Sequence, residues 1–118
     1  MKKILITLRA DLLDTRITDI VGNNVYLNYK PEEKESNMFI IYNIIDERPN
    51  TYVGNRALFT NYYIQIDIFT KGDFAEIMEV VKDILLEKDY YYTEGFQTYE
   101  KDTELFHAGL RFIKQLEN

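Results

Sequence analysis

The sequence contains no cysteine, which excludes disulfides, thiolate metal sites and cysteine nucleophiles together and fits a reducing compartment. It contains one histidine, His107, so no two-histidine metal site can form within the chain. Ser36 is the only serine, with no histidine near it in sequence. The five glycines stand singly at positions 22, 54, 72, 95 and 109, without the spacing of a dinucleotide or Walker loop. No apolar run has the length of a membrane span. Lys2 and Lys3 precede an apolar stretch, as in a signal peptide. Arg9 and Asp11 interrupt that stretch, however, and no small-residue cleavage site follows. The expectation is a soluble protein made and retained in a cytoplasm.

What is present suits a single domain. A chain of 118 residues, 46% of them hydrophobic, can bury a core without staples. A compact fold of that length has a radius of gyration of about 13 to 14 Å. Twenty acidic residues against fourteen basic ones leave a net charge of −6, which disfavours nucleic acid or anionic lipid as a primary ligand. Ten tyrosines and seven phenylalanines accompany a complete lack of tryptophan. The runs Tyr62-Tyr63 and Tyr90-Tyr91-Tyr92 must send at least one ring each away from the core if they are strands. Protein interfaces use tyrosine this way; cross-strand pairing on a solvated sheet uses it equally well.

The strongest periodicity runs from Asn61 to Asp89. Tyr62, Ile64, Ile66 and Ile68 alternate with Tyr63, Gln65, Asp67 and Phe69, the two-residue period of a half-buried strand. After Lys71-Gly72 the period changes. Phe74, Ile77, Met78, Val81, Ile84 and Leu85 form one helical stripe, with Asp73 as N-cap and Glu76 three residues on. Upstream, Ile4, Leu5, Leu8 and Leu12 share one side of a helix over about residues 2 to 13. A short turn through Ile17, Ile20 and Val21 follows, capped by Asp14 or Thr15 and ended by Gly22. Val25–Tyr29 reads as a short strand, residues 30–36 as a charged loop, and Met38–Asp46 as a central strand apolar on both faces. The stretch from Glu47 to Asn61 holds Pro49, Gly54 and three asparagines, and reads as a long mobile connection. Tyr90–Tyr99 is expected to be a strand with a bulge or bend at Gly95, residues 100–104 a polar turn, and Leu105–Ile113 a last strand. These elements imply an α+β fold: an antiparallel four-stranded, or slightly larger mixed, sheet with two main helices packed on one face.

Chemistry is hard to find in this pattern. A lone histidine such as His107 is far more often a surface or satisfied residue than a base or ligand. Glu100, Asp102 and Glu104 lack the glycine and terminal glutamate of a calcium loop. Asp67 lies on the outward face of its strand, where a cross-strand pair with lysine or arginine explains it better than general-base work. Lys71-Gly72-Asp73 opens a helix, but the Asp73 carboxylate itself takes the place an anion would take. No catalytic residue, metal site or cofactor is expected, and enzyme activity is improbable.

Four segments in order carry a resemblance: VGNNVY at 21–26, MFIIYNIIDERP at 38–49, YYIQIDIFTKGDFAEIMEVVKDIL at 62–85, and EKDTELFHAGLRF at 100–112. The chain resembles the tail-terminator, or tail-completion, proteins of the head–tail joining clusters of long, non-contractile-tailed phages and prophages. The resemblance spans nearly the whole chain and rests on order and spacing rather than on a diagnostic residue. It implies a helix-flanked sheet and a hexameric ring at the head-proximal end of the tail tube. That ring stops tail polymerisation and joins the tail to the head connector or stopper protein. Its partners would be copies of itself, the tail-tube protein and the connector; DNA would pass through without specific binding, and no membrane is involved. The chain would be assembled in the host cytoplasm and end in the virion. On that reading Tyr63, Phe69, Tyr90, Tyr91 and Tyr92 are candidates for a ring contact. The segment Arg48–Asn61, with Tyr52, Arg56 and Phe59, is the candidate for docking on tube or connector, ordering on assembly. Two alternatives stand beside it: a neck or head-completion protein at the same junction, and a small ligand-binding α+β regulatory module.

Overall fold

In a computed structural model describing residues 1–34 and 36–118, the chain runs α1 (Lys2–Leu12), α2 (Thr15–Val21), β1 (Val25–Leu27), β2 (Met38–Val53), β3 (Arg56–Thr70), α3 (Ala75–Glu87), β4 (Tyr91–Glu100) and β5 (Leu105–Glu117). The strands form one mixed sheet in the order β1-β2-β3-β5-β4. Only β1 runs parallel to its neighbour, with Val25 opposite Ile40. The α+β class and the helices on one sheet face agree with the sequence pattern.

Each element follows from local chemistry. The Asp14 carboxylate accepts the Arg16 amide and caps α2. The Arg16 guanidinium beside it holds that carboxyl well below the usual range, at about 2. Gly22, at φ +64°, ends α2. Asp73 accepts the Ala75 amide at 2.8 Å, but from one residue ahead of the N-cap: that position belongs to Phe74, whose side chain caps nothing, so the capping box expected from Asp73 and Glu76 does not form. Asp89, at φ +65°, turns the chain after α3 so that the Tyr90 amide bonds back to Leu85 O at 3.0 Å.

The core lies between the helices and one face of the sheet. Ile40 and Tyr42 of β2, Tyr62, Ile64, Ile66 and Ile68 of β3, and Ala108, Leu110 and Phe112 of β5 meet Ile4, Leu8, Leu12, Ile17, Ile77, Val81, Ile84 and Leu85 from the helices. The inward half of the β3 alternation and the α3 stripe are thus the two walls of one core.

The principal departure is between Glu47 and Asn61. This segment is not a mobile connection but the outer half of a hairpin. After a bulge at Ile45, β2 and β3 stay paired from Asp46↔Tyr63 to Val53↔Arg56. A two-residue link, Gly54-Asn55, joins them. Gly54 has φ +64°, the positive φ at the first central position that a type II′ hairpin turn needs. Pro49, a poor residue inside a sheet, sits on the stretch of β2 beyond the short β1 pairing, where its missing N–H is tolerated. Each strand of this arm extends about 25 Å, and the molecule is 52 Å long but only 26 and 24 Å across. Its radius of gyration, 15.2 Å, exceeds the compact expectation for that reason.

A third strand supports the arm partway. β5 pairs with β3 as far as Phe59↔Glu117, and the Asn118 side chain bonds Thr60 Oγ1 at 2.7 Å and Ala57 O at 2.9 Å. An isolated two-stranded hairpin is marginal in water, so this continuation of β5 is what makes the arm a stiff projection. Other strands also differ in extent from the sequence pattern: β1 stops at Leu27, and the bulge in β4 falls at Thr93 rather than Gly95.

Core and arm should therefore respond differently to truncation. Ile66→Ala, in the fully buried row of β3, is expected to cost about 3 kcal/mol in urea unfolding. Tyr52→Ala on the exposed arm should change stability by no more than about 0.5 kcal/mol. Equal losses would show the arm to be part of the cooperative core.

Candidate interaction surfaces

The sheet face turned away from the helices carries the outward half of each strand's alternation. Its centre is polar and connected. Asp67, only 7% exposed, accepts Gln65 Nε2 at 2.9 Å and Asn43 Nδ2 at 3.5 Å, and lies 2.7 Å from His107 Nε2. Gln65 in turn accepts Arg111 Nε at 3.0 Å, and Arg111 reaches Glu94 at 3.0 Å. The bonds run from β2 through β3 and β5 to β4, four of the five strands. Among the described residues, no buried side-chain nitrogen or oxygen lacks a partner.

Aromatic rings close one side of this network. Phe39, Phe69 and His107 stack in a row, with ring centroids 4.9 and 4.4 Å apart. Phe96 meets His107 edge-on. Phe96 lies over Gly109, where a Cβ would fall on its ring; glycine is required there for β4 to lay an aromatic side chain flat on β5.

Asp67 and His107 were each read from sequence as isolated outward residues, and their pairing is new. The partner expected for Asp67 was a lysine or arginine. The signal that unites the two residues is the β3–β5 register, which sets Asp67 opposite Gly109 and His107 opposite Phe69, diagonal neighbours on one face. Outward phase was readable in each strand; the register was not. An Asp–His pair satisfied by amides and stacked on phenylalanine holds a surface in shape. Among the described residues it has no nucleophile bonded to it, and no group of three or more potential metal-ligating side chains occurs.

The sequence-derived interface candidates divide into three sets. Tyr63 and Phe69 lie on the open face, as expected, and Tyr91, 70% exposed, joins them: Tyr63, Ile113 and Tyr91 are consecutive in one cross-strand row. An open groove of about 300 Å³ at this end is lined by Tyr63, Ile113, Ile45, Arg48, Glu94 and Arg111. The Arg48 guanidinium lies 4.9 Å from the Tyr63 ring centroid and bonds Asp46 at 2.8 Å.

Tyr52, Arg56 and Phe59 form the second set, on the arm. Tyr52 and Arg56 are exposed, together with Val53 and Leu58, and Phe59 is half-buried. They project from strands, not from the mobile loop in which the sequence placed them. Tyr90 and Tyr92 are the third set, and neither lies on the open face. Tyr90 is 2% exposed and donates its hydroxyl to Asp11 at 2.7 Å. Burial, and then that bond to Asp11, push its pKa above the usual phenol range. Tyr92 turns to the helix side, against Phe112 and under Lys82. Both tyrosines tie β4 to the body. Phe96 is a second outward ring on this strand beside Tyr91, and no periodicity in the sequence marks it.

The open-face network yields a direct test. Asp67→Leu strips His107, Gln65 and Asn43 of their acceptor and is expected to cost about 2 kcal/mol in denaturant unfolding. Adding His107→Leu should recover part of that loss, because removing both partners leaves fewer polar groups unpaired. Wild-type stability in the single variant would show the pair to be structurally idle.

No protein-family model and no curated protein matches this sequence. Among solved structures, the fold is similar to a chain described as "Virion of native gene transfer agent (GTA) particle". The TM-score is 0.68 over 94% of this chain and 95% of that one, at 14% sequence identity. The likeness is one of fold and spans nearly the whole chain.

Proposed function

We propose that this chain is a virion structural protein that caps the head-proximal end of a phage tail tube as a ring, stopping polymerisation and joining the tail to the head connector. The observation that carries the proposal is the fold shared, end to end, with a chain of a gene transfer agent virion. The sequence resemblance to tail-terminator proteins supplies the finer role, and a hexamer is the ring it implies.

The geometry supports a mechanical part. A ring closed by head-to-tail contacts uses two different patches on each subunit. The groove beside Tyr63, Ile113 and Tyr91 is the candidate for one, and the arm bearing Tyr52, Arg56 and Phe59 reaches far enough to serve a neighbour, tube or connector. Because the arm is already paired in the single chain, it meets its partner as a preformed edge and gives up little conformational freedom on docking. A net charge of −6 suits a wall that DNA passes without sticking. A neck or head-completion protein at the same junction is the second reading, since a virion fold fits either place.

Electron microscopy of particles made without this chain separates the two. A terminator leaves tails of irregular, excessive length when it is missing. Tails of normal length beside heads that have lost their DNA would assign the chain to the head side instead.

A further inference from the structure

The two edges of the sheet are treated very differently. On the β2 side, β1 covers Ile40–Tyr42, and the rest of β2 is broken up by the Ile45 bulge, by Pro49 and by Thr51 at φ +56°. These are the devices by which natural sheets discourage an added strand. On the other side, β4 pairs only with β5. Beyond its bulge at Thr93, Glu94–Glu100 runs in unbroken register with Arg111–Leu105. Neither proline nor lysine interrupts it, and the residues between the two glutamates, Gly95 to Tyr99, are uncharged and exposed. Among the described residues, no strand pairs with the outward backbone groups of β4.

Charge selects what can add there. Glu94 and Glu100 bracket the uncharged run. Arg111 already holds Glu94, and Lys101, Asp102 and Glu104 in the following turn leave this end of the edge acidic. A second copy of β4 pairing antiparallel about Gln97 would set Glu94 opposite Glu100 twice, a repulsive arrangement. Self-pairing is therefore opposed, while a strand with basic residues at matching positions meets two carboxylates and a free backbone ladder.

We infer that β4 is a strand-addition site for an extended segment of a partner protein carrying basic residues that face Glu94 and Glu100. Main-chain bonds supply the binding, and the two carboxylates set its choice of strand.

The test uses the intact chain and two synthetic seven-residue peptides, with lysine or glutamate at both ends of the same alternating threonine–valine core. Amide hydrogen exchange is read by NMR. The lysine peptide, at ten times its dissociation constant, should slow exchange in Gly95–Tyr99 about tenfold, with the glutamate peptide showing no protection at that concentration. Glu94→Lys/Glu100→Lys should reverse the preference while keeping the fold's spectrum. Absence of β4 protection with either peptide, equal protection by both, or protection that appears in the protein alone as its concentration rises would each overturn the inference; the last would make the occupant a second copy.

Discussion

The antiparallel ladder between β2 and β3 is the constraint on which the rest of the molecule depends. It begins at Met38↔Thr70 beside the helices and ends at Val53↔Arg56 at the far tip. Its inner half presents Ile40, Tyr42, Ile64, Ile66 and Ile68 to the helices. Its outer half is held by backbone bonds, by the shared pairing with β5, and by the Asn118 contacts. One pair of strands thus serves as core wall at one end and as projection at the other. The bulge at Ile45 marks the change.

This division explains why the two sheet faces have different chemistry. The helix side is a continuous apolar core. The open side is a satisfied network of Asn43, Gln65, Asp67, His107, Arg111 and Glu94, edged by stacked Phe39 and Phe69. Satisfied polar groups resist rearrangement, because any shift leaves a partly buried group such as Asp67 without a bond. The face is rigid without being apolar. That suits the proposed part of a subunit that holds position among neighbours.

Much of the body was legible in the sequence because one-sided burial writes itself as a period. The β3 alternation, the α3 stripe, the Asp14 cap and the Gly22 stop all signalled their roles locally. The arm was not legible. Its residues are solvated on most sides, so neither strand alternates in hydrophobicity, and Pro49, Gly54 and Asn50 carry the composition of a loop. Its pairing is dictated by the neighbouring β3 and by the Gly54 turn, not by its own pattern. The site suffered a related loss. Tyr90 and Tyr92 were grouped with Tyr91 because adjacency shows that some ring faces outward but not which one, and the Asp67–His107 pair depends on a register that single strands do not encode.

Closure into a ring at a tube end is the centre of the proposed function. Native mass spectrometry of the full chain, alone and with the tail-tube protein of the same particle, addresses it directly. The account predicts one closed stoichiometry, six copies on the terminator reading, bound to tube protein, whether or not the free chain is monomeric. A chain that stays monomeric with tube protein present, at every concentration, would contradict it.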